Sequence, residues 1–340
     1  MRGRTLTLRE LNRATLARQL LLERRRLPVA RAVERLVGLQ AQWPPSPYIG
    51  LWTRVDGFRR ASLERLLRRG EVLKPTVMRG TLHLITARDY PVFYAAFREM
   101  NTWFGPLHLE RASAAIADVR ALLKNGRVDY TEILEHLRAA HPDLSERDCR
   151  QTVYAVRRHA HLLHARETAG WTTRPSATYE AYGEPAVVDV ATAVTELVHR
   201  YLRAFGPATK ADVAGWSGLR VRDFEHALDG LPTYRNEDGK TLYDVPRAPL
   251  PPGDTPAPVR FLPKWDNLLL AFADRRRTIS DELRKSVIGK NGDVAATVLV
   301  DGAVAGTWSG AAQVKLLVPL TRTQKAEVAD EAARLEAWLR

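Results

Sequence analysis

Cysteine is nearly absent: Cys149 is the only one in 340 residues. That excludes a disulfide framework and a cysteine metal cluster, and a reducing, cytoplasmic setting is the expectation. Long apolar runs are also lacking, so no membrane partner is expected. The chain opens on Met1-Arg2-Gly3-Arg4 and a charged amphipathic segment, not on the apolar core of a signal peptide. Neither a Walker phosphate loop nor a dinucleotide-binding glycine pattern is present, and no cofactor is expected. The length suffices for two to four domains with a sizeable core.

What is present is arginine, and its placement is uneven. Residues 1–100 carry 20 Lys+Arg against 8 Asp+Glu, whereas residues 101–340 carry 32 against 31. Guanidinium groups favour forked contacts to phosphate. A localised positive field points to a polyanion such as nucleic acid. Against this stands the arginine bias of a GC-rich genome, which would give the same counts without a partner.

Apolar spacing divides the chain into a repeating order. Residues 6–22, 29–39 and 61–67 read as helices with arginines on their polar faces, and 72–73 with 76–85 as a strand pair. Three helices and a hairpin is the winged-helix order. It recurs as helices over 113–125, 130–139 and 145–161, with a wing from 162–167 and 171–173. It recurs again as helices over 187–205, 209–216 and 221–228, with a hairpin over 234–243 whose Asp238-Gly239 suits a tight turn. The reading is mainly α with β-hairpins (α+β): three tandem winged-helix units at 1–108, 109–185 and 186–247. A proline-rich linker at 248–258 leads to a β-rich C-terminal domain at 259–340, with strands over 294–300, 302–308 and 314–318 and a closing helix.

Gln40 and Gln42 stand out. They sit in Leu39-Gln40-Ala41-Gln42-Trp43, directly before Pro44-Pro45-Ser46-Pro47. Proline disfavours helical geometry in the residue before it, so a helix must be ending there. Two uncharged amides at such a place either cap the helix end or form the polar centre of a site. At i and i+2 they would not share a helix face; they converge only if the helix has ended.

Several segments together resemble the AlkZ-like (YcaQ-like) family of winged-helix DNA glycosylases. They are Gly38-Leu39-Gln40-Ala41-Gln42, Met78-Arg79-Gly80-Thr81-Leu82-His83-Leu84 and Phe205-Gly206-Pro207-Ala208-Thr209. Further on come Leu262-Pro263-Lys264-Trp265-Asp266-Asn267-Leu268-Leu269-Leu270, then Asp274-Arg275, and a hairpin from Val300-Asp301-Gly302 to Gly306-Thr307-Trp308. The resemblance implies a hydrolase of DNA repair that excises alkylated bases, typically purines alkylated at N7. Some family members open interstrand crosslinks, and some protect producers of DNA-alkylating metabolites. It also implies that Gln40 and Gln42 form the catalytic element, with Ala41 between them.

The chemistry of the residues fits that implication. An N7-alkylated purine leaves as a neutral base, so it needs little help from an acid. The reaction needs a placed water and tolerance of the sugar's developing charge. Each amide offers an acceptor oxygen and two donors, so a pair could hold that water. No lysine lies in the glutamine segment to act as a Schiff-base nucleophile, which points to a monofunctional glycosylase. Arg54, Arg79, Thr81, His83 and Arg275 are candidate DNA contacts, with Arg79, Thr81 and His83 alternating on one side of a strand; the other reading of that strand is a solvated edge. Trp43 and Asp266 are candidates for the wall or support of the site, though a tryptophan flanked by prolines also reads as packing and an aspartate there as a turn cap. His159, His161 and His164 fit no common zinc spacing, and no metal is expected. Arg24-Arg25-Arg26 and Arg275-Arg276-Arg277 read as phosphate contacts or as solvated faces. The expected partner is double-stranded DNA with alkylated or crosslinked bases, bound by a monomer. The competing reading is a winged-helix transcriptional regulator. Such a protein would load its recognition helix with base-reading residues, whereas the third unit is not basic: residues 206–230 hold 3 Lys+Arg and 4 Asp+Glu.

Overall fold

The computed structural model describes residues 4–97, 109–124, 126–159, 162–166, 170–172, 177–183 and 185–340. Met1, Arg2, Gly3, His161 and the ends of the expected second wing, 167 and 173, lie outside them. The chain begins with β1 (Thr5–Leu6) and α1 (Leu8–Arg18). A first group follows: α2 (Val29–Arg35), β2 (Leu39–Gln40), α3 (Ser46–Trp52), α4 (Arg60–Arg68), β3 (Val72–Leu73), β4 (His83–Thr86) and α5 (Tyr90–Phe97). The second is α6 (Leu109–Leu123), β5 (Val128–Asp129), α7 (Tyr130–Ala140), α8 (Glu146–His159), β6 (Leu162–His164) and β7 (Thr178–Ala181). The third is α9 (Val190–Phe205), α10 (Lys210–Ser217), α11 (Val221–Phe224), β8 (Thr233–Asn236) and β9 (Thr241–Tyr243). The chain closes with β10 (Arg260–Leu262), α12 (Asp281–Val287), β11 (Thr297–Val300), β12 (Ala303–Ser309), β13 (Gln313–Leu316) and α13 (Arg322–Leu339).

Small sheets accompany the helices, in the orders β2-β4-β3, β5-β7-β6, β1-β8-β9 and β10-β11-β12-β13. The expected class, helices with small β elements and a β-rich C-terminal part, is the class of the fold. The first two sheets meet edge to edge: Pro75 bridges Leu163, and the His164 amide donates to the Lys74 carbonyl at 3.3 Å.

Several elements depart from the sequence reading. α3 corresponds to none of the expected helices, the prolines there having marked only the end of the preceding one. Pro47 falls in its first turn, where a missing N–H costs nothing, and every residue of the helix is buried. Residues 76–82 are not continuous strand, because Met78–Gly80 form a 3-10 turn. The helix expected over 29–39 stops earlier: Leu36 is its C-cap, Val37 and Gly38 take positive φ (57° and 82°), and the Gly38 and Val37 amides bond back to Val33 and Glu34. This is a Schellman ending, and it releases the chain into β2.

α1 does not pack as the opening helix of the first group. β1 pairs in parallel with β8. Gln19 donates to the Ala204 carbonyl of α9, and Arg18 donates to Leu202 and forms a two-pronged pair with Asp244 at 2.7 and 2.8 Å. On its other side Asn12 donates to the carbonyls of Arg277 and Gly302. α1 is therefore a strut between the third group and the C-terminal sheet. Its arginines were expected on the face opposite the apolar one, but Arg13 and Arg18 are buried. The proline-rich segment 248–258 lies along this strut: its Pro249, Gly253 and Thr255 carbonyls accept from Arg18, Arg9 and Arg13. It is a strap, not a free spacer.

Candidate active site

The Schellman ending decides what Gln40 and Gln42 can do. β2 pairs antiparallel with β4, Leu39 opposite Leu84 and Gln40 opposite His83, and the Ala41 amide continues the pairing to the Leu82 carbonyl at 2.8 Å. In extended backbone, residues two apart point to the same side. The glutamines thus share a face, as they could not on a helix, and Gln40 Nε2 donates to Gln42 Oε1. Gln40 is buried and Gln42 exposed, so the pair spans from the interior to the surface. Capping of a helix end, the competing reading of these residues, does not describe them.

Arg79 completes the arrangement. It occupies left-handed backbone (φ 52°, ψ 18°), followed by Gly80 at φ 69°. That conformation costs a non-glycine residue about 1–2 kcal/mol, and local strain of this kind collects at functional sites. The turn brings the guanidinium to Gln40 Oε1 at 3.2 Å and to the Trp216 carbonyl of α10. A guanidinium only donates, so the atom of Gln40 facing it is the oxygen. The hydrogen bonds therefore run one way: Arg79 to Gln40, Gln40 to Gln42. One N–H of Gln40, both N–H groups of Gln42 and a lone pair of its oxygen remain for other use. Burial and the neighbouring charge of Arg275 pull the Arg79 guanidinium down to about 10, which leaves it protonated at neutral pH.

The remaining predicted residues divide sharply. Arg54 is no DNA contact. It is 1% exposed, donates to the Gln19 and Gly50 carbonyls, and pairs with both oxygens of Asp266 at 2.8 and 2.9 Å. Asp266 is spent on that pair and on capping the turn at Leu268, so neither belongs to the site. His83 faces no DNA either: it is fully buried, its Nδ1–H donates to the Thr81 carbonyl at 3.0 Å, and burial pushes it down to about 3. Thr81 is half-buried and donates to the Met78 carbonyl. The expected Arg79–Thr81–His83 alternation fails because the 3-10 turn interrupts the strand. Trp43 is half-buried against the core beneath α2–α4.

Arg275 is half-buried, and its Nε has no hydrogen-bond partner. Its neighbours in the run differ: Arg276 pairs with Asp274 and Asp238, and Arg277 is buried over Phe272. In the other run, Arg24 stacks on Trp52 and pairs with Glu331, and Arg25 pairs with Glu23. Among the described residues no group of three His, Cys, Asp or Glu side chains could hold a metal. The His159 side chain and His161 lie outside that description.

Two supports went unread in the sequence. Asn267 donates to the Gly38 carbonyl at 3.0 Å and fixes the turn into β2. Trp216 holds Arg79 through its backbone, which no side-chain pattern announces.

A family model, DNA glycosylase AlkZ-like, matches residues 33–338. The chain belongs to that family. It is a DNA glycosylase, and DNA is its substrate. Among solved structures, Streptomyces sahachiroi DNA glycosylase AlkZ is similar, with a TM-score of 0.80 over 98% of this chain and 97% of that chain. At 19% identity the likeness is one of fold. No curated protein matches. Among the described residues of this AlkZ-like chain, no helix is long and apolar enough to cross a membrane.

Proposed function

We propose that this glycosylase hydrolyses the N-glycosidic bond of N7-alkylpurine-type bases in double-stranded DNA, acting as a monomer, with Gln40 and Gln42 positioning the attacking water. The observation that carries this reading is the one-way chain from Arg79 through Gln40 to Gln42. It fixes which amide atoms stay free, and both free donors and a free acceptor sit at the exposed end. A water there is held without a charged group. That suffices for a leaving group that already carries positive charge and departs neutral. Gln42 is exposed, so the site is shallow at this end and suits bulky adducts, including an interstrand crosslink or the lesion of an alkylating metabolite.

The reading includes hydrolysis without strand cleavage. Lys74, in the same sheet, is buried and held at about 8 by desolvation, so it has the character of an amine nucleophile. The strand register argues against that role. Leu73 lies opposite Ile85 and Thr76 opposite Leu82, so Lys74 lies opposite Leu84, on the face of Leu39. Gln40 and His83 occupy the other face.

The test is an excision assay on duplex DNA containing N7-methylguanine, with the product examined before and after alkali. Free base and an alkali-labile abasic site are expected. Strand breaks formed without alkali would contradict the monofunctional reading.

A further inference from the structure

Between α10, the β8–β9 hairpin and the segment leading into α12 lies a cleft of about 650 Å³. Six cationic side chains line it: Lys210, Lys240, Arg275, Arg276, Arg277 and Arg284. Three of them are already engaged. Lys210 pairs with Glu225, Arg276 with Asp274 and Asp238, and Arg277 donates to Thr15 and to the Pro207 carbonyl. Arg275, Arg284 and Lys240 have no ion-pair partner among the described residues. The carboxylates of the lining do not fill that role. Asp212 accepts from Thr209 and the Ala273 amide, Asp274 holds Arg276 and feels Lys240 only from beyond ion-pair distance, and Asp281 pairs with no cation among the described residues.

Like charges are also brought together. Burial and the charge of Arg275 pull the Arg79 guanidinium down, and burial and the charge of Arg284 do the same to Arg275. Arg79, on Gln40, thus feels the charge of Arg275, and Arg275 that of Arg284, the last two lining the cleft. Proteins rarely gather such charge, and leave the Arg275 Nε buried without an acceptor, unless an anion completes it. These charges also pose an electrostatic problem for a site meant to receive a cationic base, and an anion in the cleft solves it.

We infer that this cleft binds a backbone phosphodiester of the DNA strand carrying the lesion, with Arg275, Arg284 and Lys240 as its ligands. The inference rests on the proposed DNA-strand reading of the glutamine site and deepens it. Arg79 is held by Gln40 and Trp216, so it carries the effect of the phosphate to the glutamines and does not grip the strand itself. The planar forks of two arginines match phosphate oxygens.

Binding, not turnover, tests this, so a protein with no base-release activity would leave the result interpretable. Anisotropy is measured on a labelled duplex with a tetrahydrofuran abasic analogue, over a range of salt. Arg275→Gln, Arg284→Gln and Lys240→Gln are each expected to weaken binding by about tenfold near 0.1 M salt and to reduce the salt slope by about one. A neutral methylphosphonate is then walked along the strand. At one position near the lesion the penalty of Arg284→Gln should vanish, because the contact is already gone. Penalties that stay additive at every position, or unchanged affinity and slope, overturn the inference. Inorganic phosphate should weaken binding no more than chloride at matched ionic strength; stronger competition would mark a site for free phosphate and overturn it too.

Discussion

Two sets of arginines occupy this molecule and behave in opposite ways. Arg18 and Arg54 are buried, each paired with both oxygens of a buried aspartate and each donating to backbone carbonyls. They join segments far apart in sequence: α1 to the chain after β9, and the turn following α3 to the turn at Asp266. Arg79 on Gln40, and Arg275 and Arg284 in the cleft, have no carboxylate ion-pair partner among the described residues. The first set is framework, with its charge cancelled internally. The second has no carboxylate to cancel its charge, which is the role proposed for a DNA phosphate. A count of basic residues merges the two, which is why the excess in residues 1–100 overstates the positive surface. The useful signal is positive charge left unmatched after folding.

This comparison predicts separable effects. Removing a framework arginine has the largest. Arg54→Ala leaves Asp266 buried and unpaired, and should destabilise the fold by about 3–5 kcal/mol in urea denaturation. Arg275→Gln should change stability by less than about 0.5 kcal/mol while weakening DNA binding. Equal stability losses would erase the distinction between the sets. Next comes the turn that feeds β2. An added Cβ at Gly38, at φ +82°, would stand 3.0 Å from Ile85 Cγ2 and 3.2 Å from the Leu84 carbonyl. Gly38→Ala is expected to cost about 1–3 kcal/mol and to lower the excision rate, because it pushes β2 off β4. A variant with native activity would show that the register at Gln40 tolerates displacement.

Arg79→Gln is expected to slow base release by about tenfold with a smaller change in DNA affinity, since its hydrogen bonds go to Gln40 and Trp216. A loss confined to affinity would return Arg79 to the set that grips the backbone. The smallest effect concerns pH. Amides do not titrate, and His83 at about 3 and Arg79 at about 10 keep fixed charge through neutrality. The single-turnover rate should stay flat from about pH 6 to 8. A steep histidine-like profile would make His83 the working base. Stability behaves differently. His83 is depressed in the fold, so its unfolded form binds protons first. Its contribution is full above about pH 6.5 and fades as pH falls toward 3.

Much of the order of helices and hairpins was legible because it rests on local apolar spacing and turn residues, as at Gly239 between β8 and β9. α3 was missed because prolines that mark a helix boundary also suit a first helical turn. The glutamines were legible as an anomaly, but not their geometry. That depends on Val37, a β-branched residue adopting a left-handed conformation that sequence alone gives no reason to assign it. Arg54, Asp266 and His83 were read as site residues because their types suit chemistry. Their partners lie far away in sequence or act through backbone, and burial of that kind has no local signature. Trp216 holding Arg79 by its carbonyl is invisible for the same reason.

The central claim is that Gln40 and Gln42 work as one unit held by Arg79. Single-turnover release of N7-methylguanine from duplex DNA by the native protein, Gln40→Ala, Gln42→Ala and the double variant tests it most directly. The account predicts a loss of about a hundredfold or more for each single variant, and little further loss in the double, as for residues acting together. Equal base release by the native protein and both single variants would contradict it.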